Sequence, residues 1–204
     1  MARSAGSVAR QEDGSGPLLL DFSLPSVADD FVGVDDRIMG GASTSRVSSL
    51  EGCCAFEGEL IVEGGGFASV RFNPPFVLPS DVEALLLEAR GDGREGYKLT
   101  LRSSAADASI SYQFLLPPLD SREFVKIRLP LSEFRASIRG RPCPEAPPLL
   151  ARDVRSLGLM LSRFEAGGGE KTAIPAGKFR LELKRLSVAE SELAMNGRRW
   201  VSPK

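Results

Sequence analysis

The 204-residue sequence contains no histidine, and that absence excludes several kinds of chemistry. Without an imidazole, neither a Ser-His-Asp triad nor a Cys-His pair can activate a nucleophile, and a zinc site with a histidine ligand cannot form. The commonest general base near neutral pH is also missing, so acid–base catalysis would depend on carboxylates or lysine. The composition therefore favours a protein that is not an enzyme and that needs no metal and no cofactor.

Cysteine is scarce as well. The sequence has 3 cysteines, of which Cys53 and Cys54 are adjacent and Cys143 lies in a proline-rich segment. A bridge between neighbouring residues would strain the backbone, and an odd number fits a reducing compartment better than a secreted disulfide framework. We therefore expect these residues to act as small buried hydrophobic side chains.

Long hydrophobic runs and an excess of charge of either sign are also missing. No apolar stretch approaches the roughly 20 residues that a membrane-spanning helix needs. The formal net charge is -1, so the chain has no overall positive field to attract a phosphate backbone. The sequence therefore predicts no transmembrane segment and no nucleic-acid partner, and it is compatible with peripheral membrane association.

What the sequence does contain is an alternation of apolar and polar side chains with a period of two. It runs through residues 97–102, 109–114, 125–129 and 179–184. Such alternation buries one face of a strand and leaves the other in water, as in antiparallel sheets. At Leu186 and Val188 the apolar parity shifts by one residue, which predicts a β-bulge near Lys184-Arg185.

Turn-forming residues separate these runs. The clusters are Gly64-Gly65-Gly66, Gly91-Asp92-Gly93, Pro117-Pro118 and Gly167-Gly168-Gly169. No segment of a dozen residues carries a helical apolar stripe, and the short helix candidates are residues 131–134 and 189–195. We therefore predict an all-β sandwich of two antiparallel sheets over residues 17–188, with a flexible lead-in at 1–16 and a tail at 189–204.

Several groups of side chains could carry chemistry, and each has a structural alternative. Four carboxylates lie near predicted loops: Asp35, Asp36, Glu63 and Asp92. No calcium-loop motif surrounds them, and nothing sets the separation of a glycosidase pair, so both kinds of site are disfavoured. The glycine clusters lack the Lys-Ser/Thr of a phosphate loop, which favours turns over nucleotide binding.

For the aromatic and arginine side chains, the sequence is compatible with both a binding role and a structural role. Tyr97, Tyr112 and Phe114 could stack on sugar rings, but their inward parity favours core packing. Five arginines recur beside aromatic and glycine positions, at 71, 90, 94, 102 and 139. They could line a partner-binding face or form surface ion pairs of small net energy, and the sequence does not separate these two roles. Trp200 either marks a contact surface or folds back onto the sandwich.

Motifs along the chain resemble a known family. The two strongest blocks are Asp35-Asp36-Arg37-Ile38-Met39-Gly40-Gly41-Ala42-Ser43 and Gly65-Gly66-Phe67-Ala68-Ser69-Val70-Arg71. With later blocks at 90–94, 129–134, 139–140, 156–160 and 177–181, they resemble the complex I intermediate-associated protein 30 family in order and spacing. The resemblance covers about Leu18 to Val188. It departs at Phe31 and Phe124, where such sequences commonly have tryptophan, and in a longer loop at 163–176.

The resemblance implies a galactose-binding-like jelly-roll β-sandwich. It also implies a non-enzymatic assembly factor or stabilising subunit, which binds protein subunits of a membrane electron-transfer complex of the respiratory complex I type on the matrix side of the mitochondrial inner membrane. Two alternatives stay open: an accessory role for a photosynthetic complex at the plastid thylakoid, and a carbohydrate-binding module. The expected partner-binding residues are Asp36, Arg37, Met39, Gly40, Gly41, Ser43, Arg71, Arg94, Arg139 and Trp200.

Overall fold

The computed structural model describes residues 14–36, 40–164 and 174–190. Within these ranges the chain forms thirteen β-strands and one short α-helix, α1 (Ser26–Asp29). The strands are β1 (Ser15–Asp21), β2 (Phe31–Gly33), β3 (Thr44–Leu50), β4 (Cys53–Leu60), β5 (Phe67–Phe72), β6 (Ala84–Gly91), β7 (Tyr97–Ser103), β8 (Ile110–Leu115), β9 (Val125–Pro130), β10 (Arg135–Ile138), β11 (Arg141–Pro142), β12 (Val154–Ser162) and β13 (Gly177–Ala189).

The strands form two antiparallel sheets. The six-stranded sheet has the order β3-β4-β13-β6-β9, and β1 pairs with the second half of β13. The seven-stranded sheet has the order β11-β10-β8-β7-β12-β5-β2. Several neighbours in each sheet are far apart in sequence, which is the connectivity of a jelly roll. The predicted all-β sandwich is confirmed.

The core lies between the two sheets and is built from the alternating apolar positions. Tyr97 of the seven-stranded sheet makes edge contacts with Phe56 and Phe179 of the six-stranded sheet. Leu99 and Leu101 continue the same inward face of β7, and both are buried. The period-two pattern therefore identified the inward face correctly, because burial of that face provides most of the driving force for sheet packing.

The bulge predicted near Lys184-Arg185 is present. The pairing of β13 with β6 shifts register between Leu183 and Arg185. Leu183 and Leu186 are both fully buried, although they are three residues apart. A regular strand would turn one of them to the solvent, so the extra residue keeps both in the core.

The outer face of the six-stranded sheet carries charges of both signs that pair with one another. Glu57 accepts hydrogen bonds from Arg46 and Arg180, and Glu182 accepts one from Arg90 at 2.6 Å. Lys184 donates to Glu88 at 3.0 Å. Cross-strand pairs of this kind add little stability, but the charges that form them compensate one another.

Phe31 and Phe124, the two departures from the family pattern, lie in different surroundings. Phe31 is half-buried and contacts Phe22 and Phe72 at ring separations of 6.2 and 5.2 Å. Phe124 lies beside the outer charged face, with the guanidinium of Arg90 4.5 Å from its ring centre. Phenylalanine in place of tryptophan therefore reduces the volume of a packed aromatic cluster at Phe31, whereas Phe124 makes a cation–π contact.

Short helical turns occupy small parts of the chain. The helix candidate at 131–134 forms a 3₁₀ turn over Leu131–Glu133, and α1 was not predicted because four residues carry no periodic signal. The candidate at 189–195 lies outside the described residues beyond Glu190. Across 14–36, 40–164 and 174–190, none of the helices has the length and apolar character needed to cross a bilayer.

Cys53 and Cys54 are both buried, as expected for small hydrophobic side chains. Burial raises the pKa of Cys53 and raises that of Cys54 to about 11, so at pH 8 both remain thiols, which are poor nucleophiles. We expect native protein at pH 8 to release the equivalent of one thiol or fewer to Ellman's reagent, from the half-buried Cys143, and three in urea. A Cys143→Ser control should react only after unfolding. Rapid reaction of two native thiols would contradict this assignment.

Candidate functional site

The outer face of the seven-stranded sheet carries a groove of about 790 Å³, hereafter the groove. It crosses five adjacent strands, β5, β12, β7, β8 and β10, and the loop before β3 forms one end. Small side chains make up much of its lining: Ser69, Thr100, Ser111, Ser156, Gly158 and Ser162. Larger side chains at these positions would fill the surface, so the small ones leave a depression with many hydroxyl groups.

Gly158 explains part of this shape. It lies on β12, directly opposite Arg71 on one neighbouring strand and Thr100 on the other. A Cβ atom at this position would lie 2.7 Å from the Thr100 hydroxyl oxygen and 2.7 Å from the Val70 carbonyl oxygen. Only glycine fits without a shift of these neighbours, and the missing side chain leaves the middle of the groove open.

Two arginines project into the groove without a carboxylate partner among the described residues. Arg71 is exposed and Arg102 is half-buried, and neither makes a salt bridge within the described part of the chain. Arg102 donates a hydrogen bond from Nη1 to the Ala108 carbonyl oxygen. Burial, and then the nearby charge of Arg71, lower the pKa of Arg102, which indicates that the two cations influence each other.

Lys98 is a third basic residue of the groove lining, and its side chain is fixed by hydrogen bonds. Its side chain is on the groove face of β7, yet the residue is only 1% exposed. The Nζ atom donates to Gln113 Oε1 at 3.1 Å and to the Phe164 carbonyl oxygen at 2.6 Å. These contacts compensate the loss of water around the ammonium group and fix the segment after β12 against the groove.

Arg139 lies at the rim of the groove in an unusual backbone conformation. The hairpin between β10 and β11 pairs Ile138 with Arg141, so Arg139 and Gly140 form a two-residue turn. Their φ angles are +49° and +76°. Positive φ at both central residues is characteristic of a type I′ turn, although a positive φ is uncommon for non-glycine residues in general. The turn places an arginine where asparagine, aspartate or glycine is usual.

The buried carboxylate of Asp36 connects its own segment to two others, at Ser43 and at Gly66-Phe67, through hydrogen bonds. It is 0% exposed, and its carboxylate accepts hydrogen bonds from the Ser43 amide at 3.0 Å and the Ser43 hydroxyl at 2.9 Å. The amides of Gly66 and Phe67 also donate to it, at 2.8 and 3.3 Å. The buried charge is thereby compensated by several donors, and the loop before β3 is tied to the start of β5.

Asp35 makes a second set of internal bonds beside the first. Its oxygens accept hydrogen bonds from the Ser45 amide at 3.0 Å, the Ser45 hydroxyl at 2.5 Å and the Ser69 amide at 3.0 Å. The Ser69 hydroxyl donates to the Val34 carbonyl oxygen. Both carboxylates of the signature therefore have hydrogen-bond donors within the chain. In the described ranges, no three acidic or cysteine residues are arranged to hold a metal ion.

The expected partner-binding residues that the structure describes lie in different surroundings. Asp36, Arg71 and Arg139 line the groove, and Gly41 and Ser43 lie against the Asp36 carboxylate. Gly40 is exposed in the same loop with a φ of +86°. Arg37, Met39 and Trp200 lie outside the described residues. Contact with a partner stays a prediction for all of them, and the burial of Asp36 and Ser43 gives these two a structural role as well.

Arg94 lies away from the groove. It forms an ion pair with Asp92 at 3.3 Å, and its other nitrogens donate to the carbonyl oxygens of Pro175 and Lys178. Sequence reasoning selected Arg94 but omitted Arg102 from the site, because it could not distinguish an arginine that supports a loop from one that faces the groove. The alternation in β7 was the available signal, since Lys98, Thr100 and Arg102 are its outward positions.

The aromatic side chains that could have stacked on sugar rings, Tyr97, Tyr112 and Phe114, pack toward the core. Tyr97 and Tyr112 are buried, and the Tyr112 hydroxyl donates to the Pro147 carbonyl oxygen at 2.6 Å. Phe114 packs against Phe134 with a ring separation of 5.5 Å. The preference for core packing is confirmed at both tyrosines, and Tyr112→Ala would test stability and not ligand contact.

Ser137 gives a prediction about the groove lining. It is 1% exposed, and its hydroxyl has no hydrogen-bond partner among the described residues. Because an unpaired buried hydroxyl is unfavourable, we expect Ser137→Ala to raise the free energy of unfolding by up to about 1 kcal/mol in urea titration. Ser43→Ala is the matched control and should lower it by about 1–3 kcal/mol, since the Ser43 hydroxyl bonds to Asp36 and Ile61. Equal losses for both variants would contradict the assignment.

Solved structures resemble this fold at low sequence identity. One is a family 11 carbohydrate-binding module from Clostridium thermocellum in complex with a β-1,3-1,4-mixed-linked tetrasaccharide, with 13% identity, a TM-score of 0.54, and coverage of 85% of this chain and 95% of that chain. Another is an agarase, with 13% identity, a TM-score of 0.50, and coverage of 86% of this chain and 26% of the agarase. At this level of identity the likeness establishes the fold alone.

Sequence comparison identifies the family. An uncharacterized protein of Schizosaccharomyces pombe is 29% identical over 152 residues, which span 66% of this chain and 69% of that protein. The sequence pattern of the complex I intermediate-associated protein 30 family matches residues 20–183. That match includes the aspartate signature, the groove strands and most of both sheets. The chain therefore belongs to the complex I intermediate-associated protein 30 family.

Proposed function

We propose that this chain is a non-catalytic assembly factor or stabilising subunit for a membrane electron-transfer complex of the respiratory complex I type. The observation that carries the proposal is the family match over residues 20–183, because the family supports a role related to complex I assembly. The proposed location is the matrix side of the mitochondrial inner membrane, where the chain would bind protein subunits of the complex.

The surface of the sandwich is consistent with a binding role. The outer face of the six-stranded sheet compensates its own charges through the pairs of Glu57, Glu182 and Glu88. The groove on the opposite face presents Arg71 and Arg102 without such pairs among the described residues. Arginine is enriched at protein interfaces, where its guanidinium can form bidentate bonds, so the groove is the stronger candidate for the partner-binding surface.

Affinity purification of the tagged full chain tests this function. The chain is expressed in mitochondria of the organism that encodes it, solubilised in mild detergent and analysed by quantitative mass spectrometry against a tag-only control. We expect enrichment of subunits of complex I or of its assembly intermediates. Recovery of no electron-transfer subunit by a bait that melts cooperatively would contradict the proposal. Enrichment of photosynthetic subunits from thylakoids, and not of mitochondrial ones, would favour the plastid alternative.

A further inference from the structure

We propose that the groove binds an extended acidic segment of a partner protein, with an Asp or Glu carboxylate held between Arg71 and Arg102. This inference rests on the proposed function, since it takes the partner to be a protein. It concerns which surface of this chain recognises that protein and by what chemistry.

The register of three adjacent strands places the two arginines on either side of an open strip. Arg71 on β5 is opposite Gly158 on β12, and Arg102 on β7 is opposite Ser156 on β12. Between the two long arginine side chains, β12 therefore presents only Gly158, which has no side chain, and Ser156, which has a small one. A carboxylate on this strip would lie within reach of both guanidinium groups, whose planar geometry suits carboxylate oxygens.

The charges around the strip favour an anion from outside the chain. The basic side chains that line the groove are Arg71, Lys98, Arg102 and Arg139, and the acidic ones are Asp35 and Asp36. Both acidic groups already accept several internal hydrogen bonds, and they lie at the end formed by the loop before β3. Arg71 and Arg102 have no carboxylate within salt-bridge distance in the described residues. An incoming carboxylate would supply the missing opposite charge beside the half-buried Arg102, where a charge-assisted bond is stronger than in open water.

The dimensions and the lining of the groove fit a peptide. Five adjacent strands at about 4.8 Å spacing span about 19 Å, which is the length of about six residues of extended chain. The hydroxyls of Thr100, Ser111 and Ser156 can bond to the amide and carbonyl groups of such a segment. The aromatic lining residues are Phe67 and Phe164, whereas the tyrosines that could stack on sugars are buried in the core.

Selection from a displayed library of random twelve-residue peptides tests the proposal and requires no partner of known sequence. The purified full chain is the target, and selected peptides are synthesised with a fluorescent label and titrated by fluorescence polarisation. We expect the selected peptides to be enriched in Asp or Glu. Replacement of their acidic residues with Asn or Gln should weaken binding at least tenfold, and raising the salt concentration should weaken the binding of the unmodified peptides.

Paired variants locate the binding surface. Arg71→Gln with Arg102→Gln should weaken peptide binding at least tenfold, whereas Arg122→Gln with Arg152→Gln removes the same charge from exposed positions outside the groove and should change it less than threefold. If the first pair fails to fold, Arg71→Gln alone provides the test, since Arg71 is exposed and makes no ion pair within the described residues. Equal losses for both pairs would overturn the proposal, because net charge and not the groove would then explain binding.

The remaining outcomes also decide the question. The acidic-peptide proposal would be overturned if no peptide is selected, or if the selected peptides are not enriched in acidic residues. It would also be overturned if millimolar inorganic phosphate displaces the peptides, or if a mixed-linked β-glucan tetrasaccharide does so at the same millimolar concentration. The affinity purification is independent of these results. Recovery of complex I subunits together with a failed peptide selection would therefore reject the groove inference and leave the proposed function standing.

Discussion

Replacement of Asp36 with alanine is expected to lower the free energy of unfolding by about 3–5 kcal/mol. The carboxylate is fully buried and accepts bonds from the Ser43 amide, the Ser43 hydroxyl and the Gly66 amide at 3.0 Å or less. Alanine would leave these donors buried without an acceptor, and each unpaired donor carries its own desolvation penalty. It would also separate the loop before β3 from the start of β5, so the rim of the groove should lose its order.

Urea unfolding followed by far-UV circular dichroism measures this loss. Asp81→Ala is the matched control, because Asp81 is an exposed carboxylate and its removal should change the free energy of unfolding by less than about 0.5 kcal/mol. Asp36→Asn keeps the shape but exchanges one acceptor for a donor, so an intermediate loss is expected. If Asp36→Ala were no more harmful than Asp81→Ala, the carboxylate would not be the structural link described here.

Replacement of Gly65 or Gly41 with alanine is expected to lower the free energy of unfolding by about 2–4 kcal/mol each. A Cβ atom at Gly65 would lie 2.1 Å from Oδ2 of Asp36, and one at Gly41 would lie 2.2 Å from its Cγ. The two glycines enclose the carboxylate from opposite segments of the chain. Any side chain at either position must displace Asp36 from the donors that compensate its charge.

Gly52→Ala is the matched control for these two variants. Gly52 has a φ of +74° and no atom within 4 Å of a new Cβ, so only backbone strain opposes the change, at about 1 kcal/mol. Gly40 is similar, with a φ of +86° and open space, so we expect Gly40→Val to lower the free energy of unfolding through backbone strain alone. Equal losses at positions 41, 52 and 65 in thermal and urea unfolding would show that crowding against Asp36 is unimportant.

The alternation of side chains was sufficient to predict the sandwich and the faces of its strands. Inward positions such as Leu99 and Leu181 are buried, and the parity shift after Leu183 corresponds to a real bulge. This succeeds because burial of one face is a local property that each strand carries in its own sequence. The order of strands could not be predicted in the same way, since β13 pairs with β1, β4 and β6, which are distant along the chain.

The candidate site was only partly predictable. The aspartate signature was recognisable from its spacing, but its spacing does not reveal that Asp36 points into the protein. Likewise, Arg94 and Arg102 both precede or follow turns, and only the folded chain shows that one supports a loop while the other faces the groove. The direction in which such a side chain points depends on tertiary contacts between distant segments, and a single sequence does not encode those contacts in any local pattern.

The signature and the groove have different roles in this account. Asp35 and Asp36 hold the loop that forms one end of the groove, whereas Arg71 and Arg102 face the space where a partner would bind. Substitutions in the signature should therefore reduce partner binding through loss of structure, with a lowered melting temperature. Substitutions of the arginines should reduce binding while the melting temperature is retained.

Site-specific photo-crosslinking tests most directly whether the groove contacts the partner. A photoreactive phenylalanine analogue at Ala108, an exposed position in the groove lining, is compared with the same analogue at Glu59, an exposed position on the six-stranded sheet. In mitochondria, we expect crosslinks to subunits of an electron-transfer complex from position 108 and none from position 59. Crosslinks from position 59 alone would contradict the account, because the partner would then bind the face that carries the ion pairs of Glu57, Glu88 and Glu182.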